Sequence, residues 1–134
     1  MKKIKNVLLV LLLLASLALT ACSSYKSSYV ATLMIKSSVK GEISLEFESL
    51  DGTVVFKSRR TAEGEGDISL DALISEGTIE VYYDSLGEKE ELGSISGNKR
   101  LIAEGGYVEH GRTTYIIIEA DECKGGTLKL SLNG

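Results

Sequence analysis

The 134-residue chain has no proline and no tryptophan, a single histidine, two cysteines, and eight aromatic residues in all, two Phe and six Tyr. Each shortage removes a class of function. A serine triad or a Cys–His dyad would have to be built on His110. That residue lies between Glu109 and Gly111 in a predicted turn, with no orienting third residue or oxyanion cradle in the pattern around it. One histidine with Cys123 falls short of a structural zinc set. Positive charge is scarce as well: 15 Lys and Arg stand against 19 Asp and Glu, a net of −4. This argues against a broad basic surface for nucleic acid. No catalytic residue, metal ligand or cofactor site is assigned on this reading, and the length suits one small domain.

Long apolar runs are absent except for one. Lys2, Lys3 and Lys5 precede an apolar stretch from Val7 to Leu19, the layout of an export signal. As a helix, that stretch would reach about 20 Å, against the roughly 30 Å of a bilayer core. A cleaved helical signal peptide over residues 1–21 is therefore expected rather than a permanent span.

The run ends in Leu19-Thr20-Ala21-Cys22, which resembles the lipobox of bacterial lipoproteins: Leu, a small residue, Ala or Gly, then Cys. The resemblance covers the first 22 residues. It implies that the Cys22 thiol receives a diacylglyceryl group, that the signal is cut just before it, and that acylated Cys22 becomes the first residue. Two acyl chains suffice for stable anchoring where one does not. The implied location is the bacterial cell membrane or outer membrane, lipid-anchored and facing outside the cytoplasm, with the bilayer as first partner. In Gram-negative relatives Asp after the Cys goes with inner-membrane retention, and Ser23 resembles the outer-membrane default.

Cleavage would remove three Lys and no acid, leaving 12 basic and 19 acidic side chains. Once Cys22 carries lipid, Cys123 has no partner for an internal disulfide, so stability must come from burial and sheet hydrogen bonds. Residues 22–28 comprise the acylated Cys and a Ser-rich segment, Ser23-Ser24-Tyr25-Lys26-Ser27-Ser28, predicted to be a flexible tether. Its reach is about 20 Å when extended. The domain, residues 29–134, should then hover near the bilayer, its negative charge keeping it from lying down on anionic lipid.

From Tyr29 onward apolar residues recur with period two, and Gly-containing breaks interrupt them at intervals of eight to twelve residues. This predicts an all-β domain, a single antiparallel β-sandwich of about seven or eight strands. Ile43, Leu45 and Phe47 alternate with polar residues ahead of Asp51-Gly52, and Thr53–Lys57 follows. Asp-Gly predicts a two-residue hairpin turn, with Leu50 opposite Thr53 and Phe47 opposite Phe56 on the inner face. Further strands are expected at 29–36, 67–73, 78–83, 92–96 and 99–103. Residues 69–76 carry a helical alternative with Ser69 as N-cap. A last hairpin is expected between Thr113–Ala120 and Thr127–Asn133, and Tyr115-Ile116-Ile117-Ile118, apolar on both faces, reads as a central strand. The stretch from Gly105 to Leu128 also resembles the closing hairpin of many small exported β-sandwiches, which bears on the fold and not on a role.

Tyr82, predicted to face outward beside Glu80, and Tyr115 are the candidate binding residues, as an aromatic platform. Cys123 reads as a small residue tucked under a turn, its acidic neighbours raising its thiol pKa. The acids at 63–67 and at Asp84, Glu88, Glu90 and Glu91 fall in predicted loops, an arrangement that offers oxygen ligands for calcium without the EF-hand register. The expected function is a non-catalytic binding or structural module contacting an envelope protein partner through a sheet edge or a Tyr-bearing face. The alternative is a glycan- or calcium-binding surface module.

Overall fold

The computed structural model describes residues 25–60 and 66–132; the expected signal peptide and lipobox-like segment, with Cys22, lie outside the described residues. Every regular element described is a strand: β1 (Ser28–Thr32), β2 (Ile35–Val39), β3 (Glu42–Arg59), β4 (Ile68–Asp84), β5 (Glu90–Ser96), β6 (Lys99–Gly105) and β7 (Thr113–Ser131). All pairs are antiparallel, in the order β1-β3-β7-β4-β5, with β2 also on β3 and β6 also on β4. Since β1 and β2 follow one another along β3, and β5 and β6 along β4, the sheet has two edge rows around three long strands.

Those long strands hold 18, 17 and 19 residues, against a usual length of about 5–6. Each is interrupted near the same level. Register shifts fall between Leu50 and Gly52 in β3 and between Glu76 and Thr78 in β4, and both face the Ala120–Lys124 stretch of β7. The edge rows break close by, at Leu33-Met34 and Gly97-Asn98, where the Gly97 N–H donates to the Gly77 carbonyl at 2.9 Å. β-Bulges bend strands, and an aligned row of them makes a crease across the whole sheet.

Folded over this crease, the sheet becomes a β-sandwich. β1 lies across the crease itself, opposite residues 49–53; one layer holds β5 and the stretches 53–59, 78–84 and 113–120. The other holds β2, β6 and the stretches 42–49, 68–76 and 124–131. Inward residues of both layers, among them Ile43, Leu45, Phe47, Val54, Phe56, Leu70, Ile79, Ile116 and Leu128, form one buried cluster. The layers meet side to side: a Cβ added to Gly93 of β5 would lie 2.7 Å from Leu101 Cδ2 of β6, although these strands do not pair. Opposite the crease, the chain crosses between layers twice, from Arg59 to Ile68 and from Gly105 to Thr113. Buried Arg60 donates through Nη1 to the Val108 carbonyl at 3.0 Å, and the Val108 N–H donates to the Gly66 carbonyl at 2.8 Å, tying the crossings together.

The fold class expected from the sequence is the one observed, and β7 is indeed central, but two hairpins are not hairpins. Asp51-Gly52 does not reverse the chain; β3 runs straight through it, and Phe47 lies opposite Gly126 while Phe56 lies opposite Ile116. The reason lies in the side chains around the crease. Asp51 Oδ1 accepts the bulged Glu122 N–H at 3.0 Å. Gly52, at φ 118, lets β1 pass so closely that a Cβ would stand 2.3 Å from the Ser28 carbonyl oxygen. The residues expected to turn between 120 and 127 likewise continue as β7, and the strands expected at 67–73 and 78–83 are one strand, β4, with no helix over 69–76. Inner and outer residues within each segment fall as predicted. Ile79, Val81 and Tyr83 are buried, as are Leu128, Leu130 and Leu132.

Candidate functional site

Tyr82 and Tyr115 do come together on the outward face of the first layer. Tyr82 pairs with Ile117, and Tyr115 sits two residues further along β7, opposite Asp84. Ile117 faces the same way yet is only 2% exposed, so this outer face has a small apolar centre of its own. The tyrosine rings are already in use, however. The Lys89 ammonium lies 4.2 Å from the Tyr82 ring centroid while pairing with Glu119 at 2.8 Å. The Tyr115 ring has Lys57 Nζ 5.9 Å from its centroid and Tyr25 packed against it at 5.3 Å, tilted by 59°. Ring faces covered in this way leave little platform for a sugar.

Tyr25 is the residue that sequence reasoning missed. Placed in the expected tether, it instead reaches across the outer face, and its hydroxyl donates to Asp84 Oδ2 at 2.6 Å. Asp84 Oδ1 meanwhile accepts the Gly87 N–H at 2.8 Å. Ser27 is fixed too, because its Oγ accepts the Val55 N–H at 2.8 Å. Among the described residues, therefore, the segment expected to be a tether is attached from Tyr25 onward. The legible signal was the aromatic itself, which a solvated spacer has no need of.

The three tyrosines that donate to carboxylates share an electrostatic signature. The Tyr25, Tyr82 and Tyr83 phenols are each pushed up to about 12, chiefly because Asp84, Glu80 and Glu90 accept their hydroxyl protons and would repel a phenolate. These bonds also engage two of the acids, Asp84 and Glu90, proposed for a calcium site. Among the described residues no group of three or more His, Cys, Asp or Glu side chains is arranged to hold a metal ion. Residues 61–65, which include most of the other acid cluster, lie outside the described residues.

His110 and Cys123 are far apart. Cys123 lies buried at the crease, opposite Leu50, and its thiol donates to the Thr78 carbonyl at 3.0 Å. Burial, more than its acidic neighbours, pushes that thiol pKa up. His110 is exposed beyond the start of β7, on the connection at the opposite end of the layer. The ten residue steps of β7 from Thr113 to Cys123, about 30 Å of extended strand, lie between them.

The two edge rows of the sheet differ sharply. The β5–β6 row carries Glu90, Glu91, Lys99, Arg100 and Glu104. Along β1–β2 the single charge is Lys36, and its ammonium is drawn back to within 5.4 Å of the Tyr29 ring centroid and 3.2 Å of its hydroxyl. Val30, Leu33, Ile35 and Val39 on this row are between 59% and 78% exposed, and β2 is exposed on both faces. Among the described residues nothing pairs with the outer side of β1 or β2.

No family model matches the chain, and no curated protein matches it. Among solved structures it is similar to family 29 carbohydrate-binding modules. One is a mutant with a TM-score of 0.41 and 16% identity, covering 81% of this chain and 72% of that one. Another, a mutant complexed with mannohexaose, has a TM-score of 0.40 and 14% identity and covers 81% of this chain and 90% of that one.

Proposed function

We propose that this chain is an envelope lipoprotein, anchored through acylated Cys22, whose β-sandwich is a non-catalytic module that binds a protein partner by accepting an extended segment along β1–β2. The contrast between the two edges carries the reading. Proteins ordinarily blunt a sheet edge with charge, as on β5–β6. An edge with apolar side chains outward and its one lysine folded away is suited to a further strand, whose main-chain bonds supply affinity and whose alternate side chains supply specificity. Support for the anchor is the basic, apolar and Leu19-Thr20-Ala21-Cys22 layout of the first 22 residues.

A photo-crosslinking residue introduced in place of Ile35 in intact cells should capture a discrete partner. The same residue in place of Ile102, on β6, should not, and adding Val39→Lys should abolish the adduct at position 35. Equal capture from both positions, or capture indifferent to Val39→Lys, overturns the edge reading. Mass spectrometry of the mature chain should find Cys22 at its start with added lipid mass.

Glycan binding, the second reading, has its support on the outward face of the other layer. There Asp71, paired with Arg100, and Ser131, donating to Glu42, line with Glu104 and Lys129 a groove of about 370 Å³ beside exposed Ile102, the kind of polar groups that bond sugar hydroxyls. An oligosaccharide that raises the melting temperature of the parent but not of Asp71→Ala would favour this groove over the edge.

A further inference from the structure

We infer that the sandwich is held against the membrane in a fixed orientation, with the patch around Tyr25 and Leu86 on the lipid headgroups and the outward face of the β2–β6 layer turned away; this rests on the acylation of Cys22 proposed above. Tyr25 is pinned through Asp84 and the Tyr115 ring, and Ser27 through Val55. Only Ser23 and Ser24 separate Tyr25 from Cys22. Three residue steps span at most about 10 Å, so a lipid on the Cys22 sulfur keeps the Tyr25 docking point at the bilayer surface. A six-residue leash would allow the domain to tumble. A two-residue leash ending on the sheet does not.

The chemistry of the patch fits that neighbour. One carboxylate, Asp84, accepts from both the Tyr25 hydroxyl and the Gly87 amide, and Leu86, 58% exposed, lies in the short turn from Asp84 to Gly87, two positions after Asp84. An exposed leucine with a tyrosine, whose ring is apolar and whose tip is polar, suits a headgroup boundary. Lys26, Lys57 and Arg59 flank it, all exposed. Of the acids on this face, Asp84 is engaged by Tyr25, Glu80 by Tyr82 and Glu119 by Lys89, while Glu91, exposed opposite Tyr82, stands toward the β5 edge. Opposing layers of a sandwich lie about 10 Å apart before side chains are added, so Ile102, 71% exposed on the other outward face, stands well clear of the lipid.

The test uses the acylated full-length mature protein in vesicles of phosphatidylcholine and phosphatidylglycerol with headgroup spin labels. A fluorophore is placed on Leu86→Cys or on Ile102→Cys; native Cys123 is 1% exposed and does not compete for label. The label at position 86 should be quenched several-fold more than that at 102. Tyr25→Ala should equalise the two while the protein still floats with the vesicles. Equal quenching in the parent, or stronger quenching at 102, overturns the orientation and leaves the anchor standing. A difference that survives Tyr25→Ala overturns the role of Tyr25. A protein that does not float overturns the anchor itself, and the inference with it.

Discussion

Phe47 shows how much of this fold rests on single contacts. It was expected to meet Phe56 across a hairpin. Instead its ring lies flat on Gly126 of the central strand, so that a Cβ there would stand 2.1 Å from Phe47 Cζ. The glycine weakens β7 locally, and the ring fills the space a side chain would have taken. Phe47→Ala should therefore cost about 3–5 kcal/mol in urea unfolding, since the cavity it leaves is lined partly by backbone; a loss below about 1 kcal/mol would place the ring outside the core. The tyrosine–carboxylate bonds make a second prediction at this scale. Phenols raised in the folded state to about 12 compare with about 10 in the unfolded chain. Their contribution is complete below pH about 10 and is lost as pH rises through about 12. The urea midpoint should fall over that window, and Tyr83→Phe should flatten the fall; an equally steep fall in the variant would remove the Tyr83–Glu90 bond from the account.

The element that organises the molecule is the crease. Asp51-Gly52, Glu76-Gly77 and Gly97-Asn98 all carry the residues of a tight turn, yet none closes a hairpin. In each, positive-φ glycine serves a bend, and backbone from the neighbouring row occupies the space a side chain would need at Gly52 and Gly77. Gly52→Ala should lower stability by about 1–3 kcal/mol for the unfavourable φ, and further for the 2.3 Å clash with the Ser28 carbonyl. Equilibrium unfolding reads it directly. A neutral Gly52→Ala would mean that β1 does not cross β3 there.

At the scale of the whole molecule, β3, β4 and β7 each run through both layers, so the layers share strands as well as a core. Its surfaces are divided by the same geometry. The chain enters beside Tyr25 on one outward face, the acidic and serine-bearing groove lies on the other, and the apolar β1–β2 row stands between them. Under the anchor proposed above, a module oriented by a short N-terminal attachment would present that row sideways to neighbouring proteins.

Strand content, inward and outward residues and the central place of the Ile116–Ile118 stretch were legible in the sequence, because side-chain alternation is local and has a period of two. The outward direction of Tyr82 was legible for the same reason, whereas the face that Tyr115 takes follows from its register opposite Asp84. What the residues at Asp51-Gly52 do was not legible, since an Asp-Gly pair serves a hairpin or a bulge equally well until the partner strand is known. Here the partner is β7, more than sixty residues away in the chain, and its bulged Glu122 amide takes the Asp51 carboxylate. The covering of the tyrosine rings by Lys89 and Tyr25, and the bareness of one sheet edge, were likewise decided only by tertiary structure. Alternation says which way a side chain points; which chain lies across from it is fixed by the global pairing that buries the most apolar surface.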